Sequence, residues 1–259
     1  MAWNAKVWNR LNLLTRWQAL EYIVSQNLDR RAFAVLNCIT VVPGAVWAWR
    51  RDLVMNAWGF SGDTLAEDSD LTIAIRKMWY EIAYEEDAYG ITEAPDTVSA
   101  FVRQRYRWMF GTFQAVWKHH DAVFRPKYGW LWLFALPNIL LYQIVFPLIS
   151  PIIDILTIIS IITAVINRIM HGVSYSADNI KQILFYYALF LLVDYITWLI
   201  AFFLEKKEDK KLLVWLFLQR FFYRQLMYLV AIKSIVASLK WHEVGWNKLE
   251  RKATVKFEW

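Results

Sequence analysis

Apolar residues along this chain recur at helical spacing in the first half and close into long, almost unbroken runs from Trp130 onward. Over residues 13–36 Leu20, Ile23, Val24, Leu28 and Phe33 alternate with polar positions and no Gly or Pro intervenes. That pattern predicts an amphipathic helix or helix pair at a membrane interface. Ile39-Thr40-Val41-Val42 is β-branched and stops at Pro43-Gly44, which predicts a buried strand entering a turn; residues 45–49 read as a second short strand ending at Arg50-Arg51. Residues 68–78 place Leu71, Ala74, Ile75 and Met78 on one face, so a helix is expected with its acids in the first turn. Residues 80–85 and 88–92 read as strands. Pro95-Asp96-Thr97 opens a helix whose stripe is Val98, Phe101, Val102, Met109, Phe113 and Val116.

The second half predicts membrane helices. About 20 apolar residues cross a hydrocarbon core, and residues 130–149 and 152–166 form two candidates, a tight hairpin divided by Ser150-Pro151. Residues 183–204 carry only Asp194 and end at the charged stretch 205–211, expected as a solvated turn; residues 212–239 form a fourth candidate containing Arg220, Arg224 and Lys233. Four spans return the chain to its starting side. The basic tail 240–259 then shares the cytoplasm with residues 1–127, as the positive-inside rule prefers, with 128–239 as the membrane region. The fold class is α/β plus membrane helices.

Composition agrees: 58% of 259 residues are hydrophobic, with a mean hydropathy of +0.27. The net charge of +6 sits at the edges of apolar segments, which fits membrane lipids as partners and not nucleic acid. Cys38 alone excludes an intrachain disulfide, and no Cys/His spacing resembles a metal site. The adjacent His119 and His120 are expected as a solvated pair.

The candidate chemistry lies in two short runs. Glu67, Asp68 and Asp70 fall where a helix N-terminus favours an ionised carboxylate, the state of a general base; ordinary first-turn acids are the competing reading. Gln104, Arg107, Trp108 and Gly111 share a face opposite the apolar stripe, offering an amide, a guanidinium, an indole and a bare backbone patch. Such a set suits a sugar nucleotide, with Arg103 and Arg105 left to lipid headgroups or solvent. Arg220 and Arg224, near Gln219 and Tyr223, either line a hydrophilic glycan channel, pair with Asp154 or Asp194, or lie at the interface.

In order, these runs resemble the processive family 2 glycosyltransferases (cellulose, chitin and hyaluronan synthases), with bacterial poly-β-1,6-N-acetylglucosamine synthases most similar. The resemblance rests on residues 12–31 (NLLTRWQALEYIVSQNLDRR), 38–51 (CITVVPGAVWAWRR), 64–71 (TLAEDSDL), 82–95 and Gln104-Arg105-Tyr106-Arg107-Trp108. It implies a partial GT-A-like (Rossmann-like) domain, with Asp68 as catalytic base, Gly44 beside the acceptor, Glu67 and Gln104 in substrate binding, Arg107 near the diphosphate and Trp108 at the acceptor sugar. It implies UDP-N-acetylglucosamine as donor, a growing polysaccharide as acceptor, and a multi-pass bacterial inner-membrane location with catalytic part and tail cytoplasmic. Magnesium or manganese is expected for the complete enzyme, with no ligands in this chain. The family's nucleotide-binding half with its Asp-x-Asp motif would precede Asn12 and is not among these residues, so this chain alone is expected to be inactive, needing a missing N-terminal half or small membrane subunit. A non-catalytic membrane remnant or subunit is the other class. Tryptophan stands where the family has glycine at Trp58, Trp79 and Trp47, and the chain has 16 Trp against 8 Gly.

Overall fold

A computed structural model describes residues 1–240 except 124, 172, 206 and 207, so the tail from 241 on lies outside the described residues. Strand β1 (Ala2–Val7) pairs in parallel with β2 (Tyr84–Thr92), the register running from Ala2 opposite Tyr84 to Val7 opposite Thr92 with an irregularity after Trp3. Between them the chain forms α1 (Leu13–Glu21), a wide π-type turn (Tyr22–Leu28), α2 (Asp29–Val35), α3 (Arg51–Asn56) and α4 (Glu67–Lys77). A reciprocal capping pair starts α1: Asn12 accepts from Thr15 N while Thr15 Oγ1 accepts from Asn12 N. Helix α5 (Val98–Lys118) follows β2, capped by Thr97.

Four predicted strands dissolve or merge. Residues 39–42 are mostly buried but join no sheet, and their backbone bonds α4: Val42 N donates to Thr72 Oγ1 and Thr40 O accepts from Ser69 Oγ. A segment whose polar groups are satisfied by helix side chains has no need of a ladder. Residues 45–49 form a turn and irregular chain instead of a strand, with Val46 O accepting from the Trp3 indole. Of the strands predicted over 80–85 and 88–92, residues 84–92 form the single β2, whose irregularity absorbs the break, and residues 80–83 lie outside it.

The apolar half forms α6 (Leu136–Leu140), α7 (Phe146–His171), α8 (Val173–Leu204) and α9 (Leu216–Leu239). The predicted hairpin at Ser150-Pro151 is absent, because α7 runs through Pro151. Wide π-type turns at Leu131–Ala135 and Leu141–Val145 instead precede Pro137 and Pro147, and a widened turn is one way a helix accommodates a missing N–H. Two stretches among the described residues are long and apolar enough to cross a membrane, Leu131–Met170 and Leu184–Leu204. Their apolar side chains are largely uncovered by protein, among them Ile152, Ile155 and Ile159 on α7 and Leu192, Ile196 and Leu199 on α8. Helix α9 carries Arg220, Arg224 and Lys233 and is less apolar.

The two halves share a core. Trp3, Val7, Trp17, Leu20, Ile23 and Phe101 pack with Trp198, Phe202, Leu212 and Tyr223, so the apolar face of α1 is covered by α8 and α9. The charged connection after α8 is docked as well. Glu205 pairs with Arg31 at 2.9 Å and Glu208 pairs with Arg10, both acids being buried, which corrects the expectation of a solvated turn. Buried charges persist only where paired, and the basic residues of β1's end and α2 supply the partners.

Candidate active site

Gly44, Glu67, Asp68, Gln104, Arg107 and Trp108 all line one open cavity of about 1600 Å³. Helix α4 begins at Glu67, so Asp68 lies in its first turn, where free backbone N–H groups are available. Asp68 Oδ2 accepts from Gly44 N at 2.9 Å and Oδ1 accepts from Ser69 N at 2.8 Å. Burial raises the Asp68 carboxyl above the usual aspartate range, while those N–H donors and the Arg30 charge pull the other way. Glu67 is likewise raised, chiefly by burial.

Helix α5 approaches this acid through Gly111. A Cβ there would lie 2.6 Å from Ala66 N and 2.7 Å from Leu65 C. Gly111 therefore serves helix-to-loop contact, and its bare face is occupied by residues 65–66 instead of ligand. Three residues on, Gln114 Oε1 accepts from Leu65 N at 2.9 Å. The same helix brings Gln104 and Trp108 to the cavity. Gln104 Oε1 is buried with no protein partner, the condition of an acceptor left for a ligand.

Sequence reasoning passes over two arginines at this site. Arg30 is buried, donates to Trp3 O at 3.2 Å and to Gln26, and burial pushes its guanidinium down to about 10. Its signal is the face Leu20, Ile23, Asn27, Arg30, which is buried throughout. Arg105 is 3% exposed, where headgroup or solvent contact is the sequence expectation. It pairs with Glu21 at 2.5 Å and lies 4.4 Å from the centre of the Trp108 ring. His119, expected in solvent, is buried and shares a 2.7 Å hydrogen bond with Asp70, which Lys118 also reaches at 2.8 Å. These bonds hold Asp70 below the usual carboxylate range, against its burial.

The four candidate channel residues do not share one path. Gln219 donates to Trp17 O at 3.3 Å and Tyr223 bonds Glu21, both against α1. Arg220 pairs with Asp194 at 2.9 Å and Arg224 lies 3.7 Å from Asp154. The cavity extends toward the apolar helices along other side chains, Asn138, Tyr142, Gln143, Thr197 and Tyr228. Among the described residues no group of three His, Cys, Asp or Glu side chains could hold a metal ion, and both Asp68 oxygens are engaged by backbone N–H groups. These residues do not fit the expected magnesium or manganese ion.

The chain matches the model of the family described as "Glycosyl transferase family group 2" over residues 3–239. A Bacillus subtilis (strain 168) protein named "Probable glycosyltransferase YdaM" is 25% identical over 244 residues, 92% of this chain and 56% of that protein. "Chitin synthase 2" of Rhizopus oligosporus is 32% identical over 130 residues, 40% of this chain and 15% of that protein. The chain thus spans about half the length of the first relative and a smaller share of the second.

Proposed function

Because the chain belongs to glycosyl transferase family group 2, we propose that it forms the acceptor side of a membrane-bound, inverting polymerase that adds N-acetylglucosamine from UDP-N-acetylglucosamine to a β-linked glycan. The observation that carries this reading is the meeting of Asp68 with Gln104, Arg107 and Trp108 in one cavity. Asp68 takes the proton of the acceptor hydroxyl as its oxygen forms the bond to the anomeric carbon, and the bond from that carbon to the diphosphate breaks on the opposite side. Trp108 supplies a flat apolar support for the acceptor ring, and Arg107 offsets charge on the departing diphosphate. A relative named a chitin synthase supports a polysaccharide product.

Passage of the polymer toward the membrane is supported by the cavity's extension to Asn138, Tyr142, Gln143 and Thr197, and Gln143 Oε1 is buried without a protein partner. Gln104 Oε1 and Gln143 Oε1, both buried without a protein partner, also fit a second reading, a non-catalytic membrane subunit that binds glycan. Membranes carrying the chain with its natural partners are expected to incorporate radiolabelled sugar into polymer, and Asp68→Asn to abolish it. Undiminished incorporation by that variant would remove Asp68 as the base. Calorimetry with uridine diphosphate and magnesium separates the readings, since a subunit that only holds glycan gives no heat with or without partners.

A further inference from the structure

We propose that Arg105 is a positioning residue that sets the plane of the Trp108 indole and ties it to helix α9 through Glu21 and Tyr223. The inference rests on the reading of Trp108 as the acceptor platform. The Arg105 guanidinium is 4.4 Å from the Trp108 ring centroid and 5.5 Å from that of Tyr22. The two rings are themselves in contact, 6.3 Å apart and tilted by 35°. A cation over an aromatic face is worth about 0.5–1 kcal/mol when exposed and about 2 when desolvated, and here it is almost fully buried.

What fixes the cation is a three-helix junction. Glu21 at the end of α1 pairs with Arg105 of α5 at 2.5 Å. Tyr223 of α9 donates to that same Glu21 oxygen, and its hydroxyl accepts from Arg105 at 3.4 Å. Arg105 Nε has no partner, so Glu21 at 2.5 Å and, more distantly, the Tyr223 hydroxyl are the hydrogen-bonding groups that hold the cation. A shift of α9 past α1 would therefore reach Trp108 through one carboxylate and one cation. The acceptor sugar is where such a shift would be felt, because the ring beneath the cation is the one assigned to that sugar.

The test is calorimetric titration of the detergent-solubilised chain with a short β-linked N-acetylglucosamine oligosaccharide, alongside thermal unfolding. Arg105→Met is expected to weaken binding about tenfold, the loss of roughly 1.4 kcal/mol. Arg105→Lys, which keeps the charge, recovers part of that affinity, and Glu21→Gln and Tyr223→Phe weaken binding in the same direction. Unchanged affinity in Arg105→Met, with Trp108→Ala still impaired, overturns the positioning role alone. If the unmodified chain does not bind, or Trp108→Ala binds normally, the acceptor reading itself fails. Equal losses in Arg105→Met and Arg105→Lys with a lowered unfolding midpoint would make Arg105 merely structural and would also overturn the proposal.

A second observation lies away from the cavity. Trp58 and Trp79 have φ of 66° and 69°, and each is the first residue beyond the cap of its helix, α3 and α4. At the end of α3, Trp58 N donates to Met55 O at 3.1 Å and Gly59 N to Val54 O at 2.8 Å, a helix ending that ordinarily uses glycine. The indoles are 95% and 66% exposed, so little packing offsets a left-handed backbone that costs a side-chain-bearing residue about 1–2 kcal/mol. We infer that both positions are glycine in the protein its own cell makes, through UGA codons, which some genetic codes read as tryptophan and others as glycine. Peptide mass spectrometry of the protein from its native cell is expected to show glycine at both; tryptophan at either overturns the inference.

Discussion

As the proposed base, Asp68 combines a raised pKa with backbone donors to its carboxylate. Its pKa lies above the ordinary aspartate value because burial disfavours the charge more than Gly44 N, Ser69 N and Arg30 favour it. The base is active when deprotonated, so the rate should rise with pH through that raised value, and the acid limb of the pH–rate profile should lie above the ordinary aspartate range. A limb at or below that range would contradict the buried environment. Asp68→Asn is expected to lower turnover about 10²- to 10⁴-fold, the usual worth of one general base. Asp70, two residues on, has the opposite sign. Its depressed pKa makes it a source of stability that is full above the unfolded-state value and is lost as pH falls through the folded one. Unfolding measured against pH should show this loss in the acid range, and His119→Gln should reduce it. Spacing alone does not distinguish Asp68 from Asp70, since both fall in the first turn of α4; the physical distinction comes from Gly44 on one side and His119 on the other.

Helix α5 owes its place to a missing side chain. With Gly111 pressed against the Leu65-Ala66 segment, a methyl group would have to push the helix away from α4. Gly111→Ala is expected to destabilise the fold by about 1–3 kcal/mol, as overpacking does, and to weaken activity further because α5 carries Gln104, Arg107 and Trp108. A variant with unaltered unfolding midpoint and activity would show that the contact is slack. Helices α4 and α5 are legible from spacing alone, within a residue at each start, because one face of each is predominantly apolar. The strand at 39–42 is not. Its β-branched residues carry the composition of a strand, yet Thr72 and Ser69 of α4 take up its backbone groups, and those partners are about thirty residues away in sequence. Arg105 misleads for a related reason: its charge argues for solvent, while Glu21 and Tyr223, which make burial tolerable, lie on two other helices.

At the scale of the whole molecule, the apolar half and the half that carries Asp68 are joined at one end. Glu205 and Glu208, between α8 and α9, are bonded to Arg31 and Arg10, so the α8–α9 connection lies against the N-terminal half of the structure. The uncovered face of α7 needs a different surrounding, since Ile155, Ile158 and Ile159 are each more than half exposed in the absence of lipid. This arrangement makes a prediction that one cysteine simplifies. Cys38, the single cysteine, is buried, so introduced thiols can be read against a quiet background. Asp52→Cys on α3 and Lys210→Cys beyond α8 should react with a membrane-impermeant maleimide from the same face of sealed vesicles, and Ile159→Cys should react from neither. Labelling of positions 52 and 210 from opposite faces would break the docking of Glu205 and Glu208 in the membrane-bound protein. Free labelling at 159 would place α7 in water. The joint outcome bears on the proposed function, because the proposed passage of a glycan from Trp108 toward Asn138 and Gln143 requires α7 and α8 to enter the lipid from the side that carries the cavity.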